Sequence, residues 1–119
     1  MTMLRRRLMI GAGAAIIAAI WVLSLMPAPP YVPGGDKWHH WAAYASCTLW
    51  WCLVLATWRQ RRVAMASLVV MGVVIEILQG LSGYRHFELA DIAANTAGVL
   101  SGAVLAALLP QPVHSNLRQ

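Results

Sequence analysis

The chain has 119 residues, 60% of them hydrophobic and 11% charged, with nine Lys and Arg against four Asp and Glu for a formal net charge of +5. An average soluble domain carries roughly 25% charged residues, so the composition argues against an ordinary soluble globule, and the length suits one domain. Two cysteines without secreted-type spacing imply no disulfide framework, and the basic residues are divided among segments that flank apolar runs, which fits membrane topology and anionic-lipid contact rather than nucleic-acid binding.

In chain order, residues 1–7 form a basic N-terminus carrying Arg5, Arg6 and Arg7. Four apolar runs come next, at about 8–26, 38–58, 63–81 and 92–109. Each is close to the roughly 20 residues that a helix needs to cross about 30 Å of hydrocarbon. Residues 110–119 make a short tail. The expected fold class is all-α, a polytopic membrane protein whose membrane domain, 8–109, is a bundle of four transmembrane helices. The first run, preceded by three arginines and ending near "SLMPAPP", also has features of a signal peptide. It is longer than a usual signal core, and the other three runs need lipid in either case.

The basic residues set the expected orientation. Arg5, Arg6 and Arg7 precede the first span, Arg59, Arg61 and Arg62 lie between the second and third, and Arg118 is in the tail, whereas the opposite side has Lys37 and Arg85. The positive-inside rule then places both termini in the cytoplasm. On that topology Asp36, Glu76, Glu88 and Asp91, all four carboxylates, fall at or just beneath the outer surface. Lys37, His39, His40, Gln79, Arg85, His86 and Asn95 join them.

A helix turns about 100° per residue, which sorts these groups by face. Asp91, Asn95, Gly98 and Gly102 share a narrow face of the fourth span, and Gly72, Glu76, Gln79 and Gly80 share one of the third. Lys37, His40, Tyr44 and Trp51 fall together on the second, with His39 pointing roughly the other way. Gly98 and Gly102 form a G-x-x-x-G pair that allows close helix packing in lipid. A stripe of Gly11, Ala15 and Ala19 on the first span suits either the bundle or a homo-oligomer.

Glu76 lies five positions before Leu81, about 7.5 Å below the end of its span at 1.5 Å per residue. An unpartnered carboxylate there costs roughly 2.5 to 3.5 kcal/mol. It needs a partner, for which Arg85, His40 and Lys37 are the candidates, or a proton. The competing structural role is a buried ion pair that fixes helix register. Asp36 and Glu88 stand near predicted helix starts, where acidic side chains cap free N–H groups. Asn95 suits interhelical hydrogen bonding as well as ligand binding. His39 and His86 suit the interface, His114 lies in the tail, Trp21, Trp38, Trp41 and Trp58 read as interface anchors, and Cys47 and Cys52 as small apolar fillers.

These residues resemble a family. "DKWHHWAAY" is similar to the D-K-x-x-H-F-x-x-[FY] opening of VanZ-like proteins, and "EILQGLSGYRHFELADIAANTAGVLSG" to their E-x-x-Q, R-x-F-D-x-x-D-x-x-x-N-x-x-G-x-x-x-G continuation. The family positions here are Asp36, Lys37, His40, Tyr44, Glu76, Gln79, Arg85, Asp91, Asn95, Gly98 and Gly102; Trp41 stands where Phe is usual and Glu88 where Asp is usual. The family takes its name from a membrane protein that accompanies glycopeptide-resistance clusters and is associated with teicoplanin resistance. The resemblance implies a small protein of the bacterial inner (cytoplasmic) membrane acting at the cell envelope, with a link to antibiotic tolerance, and supplies no substrate.

The leading expectation is a binding site for a polar or anionic head group of a membrane lipid or lipid-linked envelope precursor, formed by Asp36, Lys37, His40, Tyr44, Glu76, Gln79, Arg85, Asp91 and Asn95. Arg85 and Lys37 would be its cation donors. Gly98 and Gly102 serve helix packing. Alternatives are an enzyme with Glu76 or Asp91 as general base and His40 as acid, or a small proton-coupled transporter. No compact metal-ligand motif is present, and no metal or cofactor is expected.

Overall fold

The computed structural model describes residues 2–27 and 36–110. Over those residues the chain forms four helices and their connections, with no strand. They are α1 (Met3–Leu25), α2 (Asp36–Val54), α3 (Trp58–Leu81) and α4 (Leu89–Leu108). The tail beyond residue 110, with His114 and Arg118, lies outside the described residues, as does the side chain of Asp36.

The boundaries arise from local capping. The Thr2 hydroxyl accepts the Arg5 N–H at 3.2 Å, so α1 begins ahead of the expected span and carries the three arginines on its first turns. The second and third spans were expected at 38–58 and 63–81, but α2 stops at Val54 and Trp58 opens α3. The reason is a capping box: Thr57 Oγ1 accepts the Gln60 N–H at 3.2 Å, and Gln60 Oε1 accepts the Thr57 N–H at 3.3 Å. Buried Arg61 then reaches back, its Nε donating to the Leu55 carbonyl at 3.2 Å just past the end of α2.

By length and composition α1, α3 and α4 are each apolar and long enough to cross a membrane. At 1.5 Å per residue they run about 30 to 36 Å. α2 is 19 residues long and more polar, because Asp36, Lys37, His39 and His40 occupy its first turns. It touches all three other helices, so less of its surface needs to suit lipid.

The most extensive interface joins α2 to α4. Gly98 and Gly102 are buried, and a Cβ on either would land on backbone, at the Trp41 carbonyl oxygen for Gly98 and the Ala45 carbonyl oxygen for Gly102. The two backbones therefore approach as closely as main chain allows, which is how small residues substitute for the missing hydrophobic drive in lipid. Around this contact Tyr44, Cys47, Ile75, Val99, Leu68 and Ile20 form the core. Cys47 and Cys52 are both buried and free.

α1 packs on α2 and α3 and does not reach α4. Its buried positions are Gly13 and Ile20. Gly13 makes room for the Trp51 indole, which would come within 2.7 Å of a Cβ there. The stripe of Gly11, Ala15 and Ala19 is exposed, so it takes no part in the bundle.

Gly102→Ala is expected to lower the Tm of the purified protein by several degrees, since overpacking costs about 1–3 kcal/mol. Gly11→Ala, with nothing within 4 Å of the new Cβ, should leave it unchanged or raise it slightly. Thermal unfolding of both in one detergent checks the pair.

Candidate functional site

One end of the bundle gathers the C-termini of α1 and α3 and the N-termini of α2 and α4. There α4 starts at Leu89, with Glu88 as its N-cap residue in extended conformation and Asp91 in its first turn. This start has two effects. The Glu88 backbone N–H points inward, where Glu76 Oε1 accepts it at 2.7 Å. Asp91, only 4% exposed, is carried down onto α2.

Lys37 ties this corner together. Its ammonium pairs with Glu88 Oε2 and sits 2.5 Å from Asp91 Oδ1. Lys37 stands ahead of the apolar stretch of α2, and those carboxylates, Asp91 foremost, hold its ammonium well above the usual lysine range. His40, one turn along α2, places Nε2 3.6 Å from Asp91 Oδ2 and Nδ1 2.9 Å from Asn95 Oδ1. Asn95 is buried on the same face of α4 as Asp91 and Gly98. Asn95 and Tyr44 both need the glycine of α3: a Cβ at Gly72 would meet Asn95 Nδ2 at 3.1 Å and the Tyr44 hydroxyl at 3.3 Å.

Glu76 is fully buried. Its Oε1 is engaged by Glu88, and its Oε2 has no hydrogen-bond partner. Asp91 and His40 lie within electrostatic reach of it, as it does of Tyr44. The Tyr44 hydroxyl, on a residue 2% exposed, is likewise unpartnered. Six of the expected residues, Lys37, His40, Tyr44, Glu76, Asp91 and Asn95, thus form one cluster that runs from the surface at Lys37 and Glu88 to the buried Glu76. Among the described residues no three His, Cys, Asp or Glu side chains are grouped to hold a metal ion.

Two expected residues do something else. Arg85 was a candidate partner for Glu76, but its Nη1 donates to the Met26 carbonyl at 3.2 Å. Gln79 Nε2 donates to the Ser24 carbonyl at 2.7 Å. Tyr84 completes the set, its hydroxyl donating to the Leu25 carbonyl at 2.9 Å. Three successive carbonyls at the end of α1, which the helix itself leaves without partners, are therefore satisfied by α3 and the loop after it. That loop can turn because Gly83 adopts φ 81° immediately after the Ser82 C-cap. Tyr84 was missed from the sequence. The available signal was the demand of α1 for donors at its end, which has no spacing rule in a chain that returns some 60 residues later.

An all-helical chain with three membrane-length apolar helices and a buried polar cluster at one end defines a small polytopic membrane protein. The VanZ/LLP1 family model matches residues 36–110, more than half of the chain, and the protein belongs to that family. The match spans α2, α3 and α4 and excludes α1, the helix that the Gln79, Tyr84 and Arg85 donors attach. Comparisons with curated proteins and with solved structures each gave no match.

Glu76→Gln is expected to keep or slightly raise Tm, because a carboxamide oxygen still accepts the Glu88 N–H while a buried charge is removed. Glu76→Leu orphans that N–H and should cost about 1–3 kcal/mol. Thermal unfolding of the two variants beside wild type checks the difference.

Proposed function

We propose that this VanZ-like protein is a binding protein of the bacterial inner membrane, with both termini in the cytoplasm and the polar cluster at the outer face. Its ligand is the head group of a membrane lipid or lipid-linked envelope precursor. The orientation is supported by the arginines at the opposite end, Arg5 to Arg7 and Arg59 to Arg62. The role at the envelope, with a bearing on glycopeptide tolerance, is supported by family membership.

The observation that carries the reading is Glu76. A carboxylate buried in an apolar helix is costly, and an ion pair built only for stability would have both oxygens engaged. Here one oxygen holds the loop at Glu88 and the other is unengaged beside a second buried carboxylate. Groups held at a stability cost are characteristic of sites that act on something else. The cluster opens at Lys37 and Glu88, whose side chains are 44% and 47% exposed, so a head group lying at the membrane surface is within reach.

A second reading has one observation in its favour. His40 sits with one ring nitrogen on Asn95 and the other toward Asp91, so it would serve as general acid or base where a bound substrate takes the place of one of these partners. Turnover of a lipid-linked substrate by purified protein, lost in Glu76→Gln, would establish it.

For the binding reading, native mass spectrometry of detergent-purified wild type is expected to show a co-purified head-group lipid. Glu76→Gln should retain less of it at unchanged Tm. Equal retention by the two proteins would remove Glu76 as the basis of the site.

A further inference from the structure

The head-group reading leaves the chemistry of the head group open, and the pairing of the cations narrows it. An anionic ligand needs free donors. Arg85 is committed to the Met26 carbonyl, and the Lys37 ammonium lies between Glu88 and Asp91. Within the cluster the buried atoms without a hydrogen-bond partner are oxygens: Glu76 Oε2, the Tyr44 hydroxyl and Asp91 Oδ1, the last of these meeting Lys37 only as an ion pair; the Thr48 hydroxyl and the Trp51 N–H, also unpartnered, lie further along α2. Among the described side chains, three carboxylates (Glu76, Glu88 and Asp91) face one ammonium and one imidazole. A phosphate entering here would meet an excess of like charge, whereas a protonated amine would meet acceptors.

The protein itself displays that chemistry. Lys37 places a primary ammonium between two carboxylates, one of them nearly buried, on a side chain that is 44% exposed and able to withdraw into water. An ammonium carries three donor hydrogens and no acceptor. Glu88 Oε2 accepts one of them and Asp91 Oδ1 is ion-paired with the same ammonium, and Glu76 lies at the inner, buried side of the cluster, near Asp91. We propose, on the basis of the head-group reading, that the cluster recognises a protonated amine carried on a membrane head group, and that Lys37 is an intramolecular stand-in which the ligand's ammonium displaces from Asp91 and Glu88. Lys37 is then a competitor for the site, the opposite of the anion-donor role expected from the sequence.

The opposing roles give opposite signs for one variant. The full chain in detergent is titrated with short-chain phosphatidylethanolamine, which has a primary ammonium, and with phosphatidylglycerol, which has none. Binding is read by native mass spectrometry and Tm. Phosphatidylethanolamine is expected to bind about tenfold more tightly, the scale of a charge-assisted hydrogen bond. Lys37→Gln should tighten it several-fold, and Tyr44→Phe, which keeps the ring volume, should weaken it at unchanged Tm. Soluble glycerophosphoethanolamine should bind more weakly than the lipid; equal binding would overturn the membrane source. Preference for phosphatidylglycerol, or weaker phosphatidylethanolamine binding by folded Lys37→Gln, would overturn the amine proposal and leave the head-group reading standing. Retention of neither lipid, with no co-purified head-group lipid on wild type, would overturn both.

Discussion

The close approach of α4 to α2 is the contact on which the other features depend. Gly98 and Gly102 set the α4 backbone against the carbonyls of Trp41 and Ala45. A side chain at either glycine would push α4 outward by the width of a methyl group. Asp91 and Asn95 lie on the same face of α4, above the two glycines, so the helix contact fixes the polar contact: Asp91 arrives at Lys37 and His40, and Asn95 at His40. The membrane supplies no hydrophobic drive for this association, which is why it falls to small residues and to polar groups that have no better partner than one another.

Around that contact the chain separates attachment from recognition. Gln79 and Arg85, polar residues beside the cluster, are spent with Tyr84 on the last carbonyls of α1. Glu76, on α3 three residues before Gln79, takes the Glu88 N–H instead. α1 is thus held at its end by these hydrogen bonds and along its length by buried Gly13 and Ile20, by Ile16, Ile17 and Trp21 against the core, and by the Trp50 indole N–H on the Met9 carbonyl. The family match, which begins at Asp36, agrees with α2, α3 and α4 being the unit that forms the cluster.

The electrostatics of the cluster are unusual for a membrane interior. Two carboxylates, Glu76 and Asp91, are buried together, and the ammonium nearest them comes from the exposed Lys37 at the start of α2. Charges in low dielectric are tolerated when their lone pairs are satisfied. Here the satisfaction is uneven: Lys37 and Glu88 near the surface are paired with each other, whereas Glu76 Oε2 and the Tyr44 hydroxyl within have no hydrogen-bond partner. That gradient, more than the net charge of +5, makes the cluster a candidate for a ligand rich in donors.

Hydropathy and helical period made much of this legible in advance. The four helices, the gathering of the carboxylates at one end, and the shared face of Asp91, Asn95, Gly98 and Gly102 all come from short-range spacing, because a regular helix converts sequence distance into angle and height. The α2 to α3 junction was legible too, since Thr57 and Gln60 have capping-box spacing, but hydropathy ran past it because Trp58 and the residues before it are apolar enough to extend α2. Partner choice was not legible. Whether Arg85 would meet Glu76 or the Met26 carbonyl depends on where α1 ends relative to the turn at Gly83, and nothing local in the sequence encodes that separation. The sequence determined which groups stand at the polar end of each helix; only the packing of four helices decided which of them find partners there, because hydrogen bonds are settled at about 3 Å and helix periodicity places a residue only to within a turn.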